Sequence, residues 1–488
     1  MDPFVTLDAT AQAELVRRKE VSALELVDAA IARIERLNPK LNAVTQTQFE
    51  QARDKAKRPL PQGPFTGVPF LLKDFLLAQA GVPLTGGSRF SRDFVPDHDA
   101  ELLQRQLRTG LVVLGKTNTP EFGLLPTTEG ALLGACKNPW DLGRTVGGSS
   151  GGAAAAVASG MVPFAHAADG GGSIRIPAAC CGLFGLKPTR GRNPLGPELA
   201  DPYHALVVEH AVTRSVRDSA ALLDATEGAD PGAPTLAPPK TRPYLQEVGT
   251  PPGQLHIGLK LRNAMGAPIH PECLLAVSQA ANLLEELGHI VIEEETLDDL
   301  NRVGVLADHS LPNEESLSLH FMTVWAAGVV YTIDSFAQRL GRTPGPEHFE
   351  PFTWSLYQFG LSQGLSAFLQ AQAELQRFAR AQARAFTDVD VWLMPTVAEP
   401  PPALGTFGAP ADAPLTPLFR AASFTPYSPL ANLTGHPAMS VPLHWTPDGL
   451  PVGVQFLGRF GGEATLFRLA AQLEAAQPWA TRRPPLFG

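Results

Sequence analysis

Four short stretches of this 488-residue chain carry residue types at spacings that could do chemistry. In DGGGSIRIP (169–177), three consecutive glycines stand directly in front of Ser173. Glycine loses more backbone entropy on folding than any other residue, so a triplet implies a sharp bend or a very close approach to something. Successive N–H groups of a glycine-rich turn can converge on one point, and a serine at the end of the turn sets its hydroxyl beside them. Acyl transfer needs that combination: a nucleophile close to donors that hold the developing oxyanion.

Serine alone is a poor nucleophile and needs a base. None of the twelve histidines stands in a recognisable pairing with Ser173, and His166 reads equally as a buried, satisfied histidine. No S-x-x-K occurs, so the penicillin-recognising pattern is absent. A lysine could serve if it were neutral. Bringing a lysine amine from about 10.4 to about 7 takes roughly 4.6 kcal/mol of destabilised charge, which burial can supply. Lys73 is the candidate, because it ends GVPFLLK (67–73) with no charged residue before it in that run. Taken alone, such a lysine reads as a surface residue at a strand end.

The other two stretches imitate known sites. GLVVLGKT (110–117) matches the phosphate-loop pattern letter for letter. In a phosphate loop the central residues wrap an anion and a helix follows. Here they are Leu-Val-Val-Leu, a strand, followed by NTP, so the structural reading is a strand ending at Lys116. GGSSG (147–151) matches the nucleophile elbow of α/β-hydrolases with Ser149 as nucleophile, but an elbow needs an apolar strand before it and NPWDLGRTV is turn-rich and polar. The flanking AAAAVASGMVPFA is too apolar for a solvated linker.

The elements that must hold these residues can be read from periodicity. Two amphipathic helices fill the first fifty residues, the second starting at a capping box of Ser22 and Glu25. Residues 111–114 predict a buried strand, and residues 147–168 are rich in alanine and glycine, which lets backbones approach closely. Further on, strand (255–260), helix closing at Gly288, and strand (HIVIEEE) give a β-α-β texture. VDVWLMP (389–395) predicts another strand, MSVPLHW and PVGVQFLG a hairpin about Pro447-Asp448-Gly449, and residues 464–476 a last helix. Apolar strands recur on both sides of the Pro-rich runs 231–243 and 399–417, so these read as surface connections inside one domain spanning 1–488: N-terminal helices at about 5–60, a core at about 65–230 and a C-terminal half at about 250–480.

Composition is that of a globular enzyme, with 44% hydrophobic and 18% charged residues. A net charge of -9 leaves no basic footprint, so nucleic acid is excluded as a direct partner and a small molecule is the default. Cys136, Cys180, Cys181 and Cys273 form no C-x-x-C pair, so neither a zinc ribbon nor a thioredoxin-type motif is indicated, and a reduced, cytoplasmic setting is expected. No unbroken apolar run reaches membrane-spanning length.

Together these pieces resemble the amidase-signature family. GGSSGG (147–152) with DGGGSIRIPAACCGLFGLKPTRGR (169–192) resembles its signature block. GVPFLLKD (67–74), GKTNTPEFG (115–123), NLTGHPAMSVP and GLPVGVQ resemble further family segments. The likeness runs from about residue 5 to 480 and is weakest between about 295 and 385. It implies an α/β fold: a large twisted mixed β-sheet covered on both faces by helices. It also implies an amidohydrolase that cleaves a carbon–nitrogen bond, of the linear-amide class, through a serine acyl-enzyme, with no cofactor and no metal.

Residue by residue, the family's Ser–cis-Ser–Lys unit falls on Ser173 as nucleophile, Ser149 as proton carrier and Lys73 as base, with a cis Gly148–Ser149 peptide. Gly170, Gly171, Gly172 and Ser173 would supply the oxyanion-hole N–H groups. Asp169, Arg175 and Ser150 would support the site, Arg175 as a buried ion-pair partner, and Cys180 and Cys181 would be small core residues. Ala168 and Gly170 stand where the family commonly has threonine, which bears on substrate preference. HAAD (166–169) and KPTRGR look closest to the branch of aminohexanoate cyclic-dimer hydrolases. The alternative is the glutaminase component of a tRNA-dependent amidotransferase. The acyl pocket is expected from the segment 295–385 and the Pro-rich stretch after Glu399. Oligomeric state stays open, a homo-oligomer included.

Overall fold

A computed structural model describes residues 2–197, 203–261, 263, 266–293 and 314–488. Residues 294–313, the start of the weakly matching segment, lie outside the described residues. The chain first lays down β1 (Val44–Thr47), β2 (Pro69–Lys73) and β3 (Val112–Thr117), then a small hairpin of β4 (Glu129–Gly130) and β5 (Gly134–Ala135). β6 (Phe164–Asp169), β7 (Phe184–Lys187) and β8 (Val208–Thr213) follow, then β9 (His256–Leu259), β10 (Ile290–Glu293) and β11 (Val391–Pro395). The last pair is β12 (Ala438–Trp445) and β13 (Pro451–Gly458), the expected hairpin.

Eight of these strands form one mixed sheet in the order β10-β9-β11-β13-β12-β7-β8-β6. β9 pairs parallel with β10 and β11, as a β-α-β crossover requires, and the remaining pairs are antiparallel. Helices cover both faces. Met439 and Val441 of β12 join Val454 and Phe456 of β13 in an apolar layer with the helices Pro271–Glu286 and Glu463–Ala476. The alternate residues of the same strands face the helix Arg175–Cys181. A Cβ added at Gly453 would lie 2.7 Å from Ala179 Cβ, so only glycine lets that helix seat so closely on β13. The close seat places Ser173, two residues ahead of the helix.

The first three strands form a separate sheet, β1-β3-β2, rather than extending the large one. Residues 112–117 are strand to their end, and Lys116 is fully buried, its amine donating to Pro83 O (2.5 Å) and lying 3.5 Å from Asp74. The phosphate-loop resemblance therefore has no loop to bind with. The capping box is present: Glu25 N–H donates to Ser22 Oγ (3.2 Å) and Ser22 N–H to Glu25 Oε2 (2.8 Å). All eight residues of the helix Gly151–Ala158 are buried, as its small side chains permit.

The helices Glu314–Leu340, Pro351–Ser362 and Leu365–Arg384 form a further layer. Their apolar side chains share a cluster with Phe75, Phe122, Tyr203 and Val207 from the core half of the chain. Ala409 and Leu415 of the second Pro-rich stretch border that cluster.

Candidate active site

Lys73 is the last residue of β2, and the apolar run before it carries it inward: its side chain is 1% exposed. The surface reading of this lysine is overturned. Its Nζ lies within hydrogen-bond distance of two hydroxyls, Ser149 Oγ at 2.7 Å and Ser150 Oγ at 3.0 Å. Both serines immediately precede the helix Gly151–Ala158, and the Gly148–Ser149 peptide is cis. Ser150 Oγ–H donates to Ala168 O (3.1 Å) while the same oxygen accepts from Ala168 N–H (3.2 Å), which ties the serine loop to β6. Burial lowers the Lys73 amine to about 7, against the opposing pull of the Asp169 and Glu209 carboxylates. An amine at that value is neutral in about half the molecules at neutral pH and can take a proton.

β6 ends at Asp169 and turns through Gly170, Gly171 and Gly172 to Ser173, which is half-buried. Gly172 has φ +130°, a conformation that L side chains rarely adopt, and a Cβ there would lie 2.3 Å from Ser428 Oγ. The turn is clamped from inside. Gly172 N–H donates to Asp169 Oδ1 (2.7 Å) and Ile174 N–H to Asp169 Oδ2 (3.2 Å). Arg175 grips the same carboxylate with two bonds of 2.9 Å and reaches Ser428 O, Gln455 Oε1 and Asn432 Oδ1. Both charged side chains are fully buried. Burial by itself would raise the Asp169 carboxyl, but Arg175, with Lys187 and Asn432, holds it at about 2. The Gly172 N–H, expected among the oxyanion donors, is thus engaged by Asp169, because the turn folds back on its own carboxylate.

The amidase family's sequence profile matches residues 25–467. The chain belongs to the amidase-signature family. It is 39% identical to a 6-aminohexanoate-cyclic-dimer hydrolase from Pseudomonas sp. (strain NK87), over 98% of this chain and 96% of that one. A solved structure of a 6-aminohexanoate cyclic dimer hydrolase complexed with substrate superposes with a TM-score of 0.92 at 38% identity, covering 100% of both chains. One component of the glutamyl-tRNA(Gln) amidotransferase of Thermotoga maritima superposes with a TM-score of 0.75 at 25% identity, covering 100% of this chain and 99% of that one. The amidase-signature membership makes this chain a hydrolase of carbon–nitrogen amide bonds, and the motifs 166–169 and 187–192 point to the branch that holds the first two relatives.

Within this amidase-signature site, one departure has a tertiary explanation. A Cβ at Gly170 would meet Trp325 Cη2 at 3.1 Å and Val207 Cγ2 at 3.0 Å. The indole occupies the place that a threonine side chain would need. Trp325 stacks on Phe321 (5.6 Å, 18°) and leans on Tyr203 (4.8 Å), so an aromatic wall stands over the glycine turn.

Two neighbours of the site, Asn432 and Glu209, escaped sequence reasoning, which reads His166 only as a buried histidine. Asn432 Nδ2 donates to Asp169 Oδ1 (2.9 Å) and to Asp169 O (3.0 Å) from the short helix Pro429–Thr434. His166 accepts the Lys73 backbone N–H at Nδ1 (3.3 Å), and its Nε2 lies 3.2 Å from Glu209 Oε1. The period-2 pattern of β6 does put His166 and Ala168 on one face, but nothing in the sequence says which strand faces them. Among the described residues, no three His, Cys, Asp or Glu side chains converge where they could hold a metal ion, and no helix is long and apolar enough to cross a membrane.

Proposed function

We propose that this amidohydrolase works through an acyl-enzyme on Ser173, with Ser149 carrying the proton between Ser173 and Lys73. The observation that supports the reading best is the buried Lys73 amine, 2.7 Å from Ser149 Oγ and lowered to about 7. Ser150 gives the relay a direction. Its own proton is engaged on Ala168 O, so towards Lys73 it can only accept, which leaves the lone pair of the neutral amine for the Ser149 proton. In the forward step Ser149 passes its proton to Lys73 and takes that of Ser173, whose oxygen attacks the amide carbonyl. The oxyanion is held by the N–H groups of Gly170, Gly171 and Ser173. The same path in reverse protonates the leaving amine, and water then releases the acid.

The aromatic wall of Phe321 and Trp325 over the turn favours an amide with an apolar chain. Linear aliphatic anilides test the linear-amide class, and a cyclic aliphatic oligoamide tests the activity for which the relatives are named. The glutaminase alternative would release ammonia from glutamine, which a coupled ammonia assay reads directly. The four cysteines are free and buried, which suits a reducing, cytoplasmic setting.

The deciding experiment is peptide mapping by mass spectrometry after treatment with a fluorophosphonate serine probe. The reading expects the adduct on the peptide that carries Ser173 and loss of labelling in Ser173→Ala. An adduct on Ser149 instead would move the nucleophile to the GGSSG loop and sink it.

A further inference from the structure

The lysine of the relay is held at its backbone by a side chain from the other sheet. Lys73 N–H on β2 donates to Nδ1 of His166 on β6, so that nitrogen carries no proton and the ring's proton sits on Nε2. Nε2 faces Glu209 Oε1 at 3.2 Å, with both side chains inside the protein at 0% and 3% exposure. The β6–β8 register explains the meeting. His166 pairs with Ala211 and Ala168 with Glu209 in an antiparallel ladder, so His166 and Glu209 are diagonal neighbours on one face of the sheet. That face is the one turned to Lys73.

We propose that His166 and Glu209 are positioning residues for Lys73: the ring fixes the end of β2, and Glu209 fixes the ring and sets a second carboxylate charge facing the amine. The inference rests on the acyl-enzyme reading above.

The charges around the amine can be named strand by strand. From β6 comes Asp169, already gripped by Arg175. From β8 comes Glu209, whose partner is the neutral ring, so its charge is left to act on Lys73. Asp74, next on the chain, is paired with Lys116 of β3 at 3.5 Å. His210, the next residue of β8, bonds Ser219 Oγ on the other side at 2.8 Å, and burial pushes its ring down to about 3, so it adds no charge at neutral pH. Glu209 Oε1 and His166 Nε2 make no well-aligned hydrogen bond at 3.2 Å, so the carboxylate meets the N–H dipole of the neutral ring through space. A histidine that only filled space would carry no such consequence for the amine.

The test uses the rate at which a fluorophosphonate probe modifies Ser173 across pH 5 to 9, which needs no identified substrate. Glu209→Gln keeps an oxygen to face Nε2–H and removes only the charge. Losing a negative neighbour disfavours the ammonium, so the acid limb of the profile should move down by about one pH unit, with the plateau rate within roughly threefold of wild type. His166→Leu removes the acceptor of the Lys73 N–H and should lower the plateau rate by roughly tenfold or more. His166→Asn, whose Oδ1 can take the place of Nδ1, should recover most of it.

A Glu209→Gln limb that coincides with wild type, or a His166→Leu protein that reacts at the wild-type rate, overturns the proposal. Should His166→Leu fail to fold, Glu209→Gln and His166→Asn still decide. If wild-type Ser173 is not labelled at any pH, the acyl-enzyme reading fails and this inference with it. If Ser173 is labelled with a limb near pH 7 that Glu209→Gln leaves in place, this inference fails alone.

Discussion

Trp325 stands where a side chain at Gly170 would have to go, its Cη2 3.1 Å from the position of an added Cβ. Gly170→Thr should therefore push the indole and the oxyanion turn apart and lower kcat/KM by roughly tenfold or more. In Gly170→Thr/Trp325→Leu the smaller residue makes room, and part of the loss should return, with a coupling on the order of 1 kcal/mol. Steady-state kinetics on acetyl to hexanoyl anilides would measure both. Strict additivity of the two changes would refute the contact.

The Lys73 amine, lowered to about 7, must be neutral to accept a proton. Activity should rise with pH through about 7 and then level off, falling tenfold per pH unit on the acid side. Lys73→Arg should be as inactive as Lys73→Ala, since a guanidinium stays charged at any accessible pH. A pH–rate profile of the wild type and an assay of the arginine variant check this.

Ser150 is bonded to Lys73 and twice to Ala168, yet its proton points away from the relay. Ser150→Ala should cost less than Ser149→Ala, on the order of 10-fold to 100-fold in kcat with little change in KM, because the amine loses a positioning partner and not its proton carrier. Equal losses in the two alanine variants would contradict the assigned direction.

Asp169 and Arg175 form a fully buried pair that also closes the glycine turn. Asp169→Asn leaves the guanidinium without its counter-charge and should destabilise the protein by about 3–5 kcal/mol at pH 7. The sign of the pH dependence follows from the lowered carboxyl. Its value of about 2 lies below that of an unfolded chain, so the stabilisation is present above about pH 4 and disappears as pH falls towards 2. Urea unfolding at pH 2.5, 4 and 7 should show wild type losing stability across that window and the asparagine variant losing less.

Much of this protein was legible in its sequence, because the information was local. The turn 169–173, the end of β2 at Lys73, the capping box at Ser22 and the final hairpin are set by neighbours a few positions apart, and the signature motifs pointed to Ser173, Ser149 and Lys73. The aromatic helices beyond Glu314 were less legible, since apolar periodicity names a buried face without naming what it covers. Tertiary structure alone decided the rest. Lys73 is buried because two sheets and the serine loop close around it, and desolvation depends on what surrounds a charge, not on what precedes it in the chain. Gly172 gives its N–H to Asp169 because the turn folds back on itself. Trp325 reaches Gly170, and Glu209 meets His166, only through packing and strand register, which bring together residues that no local pattern connects.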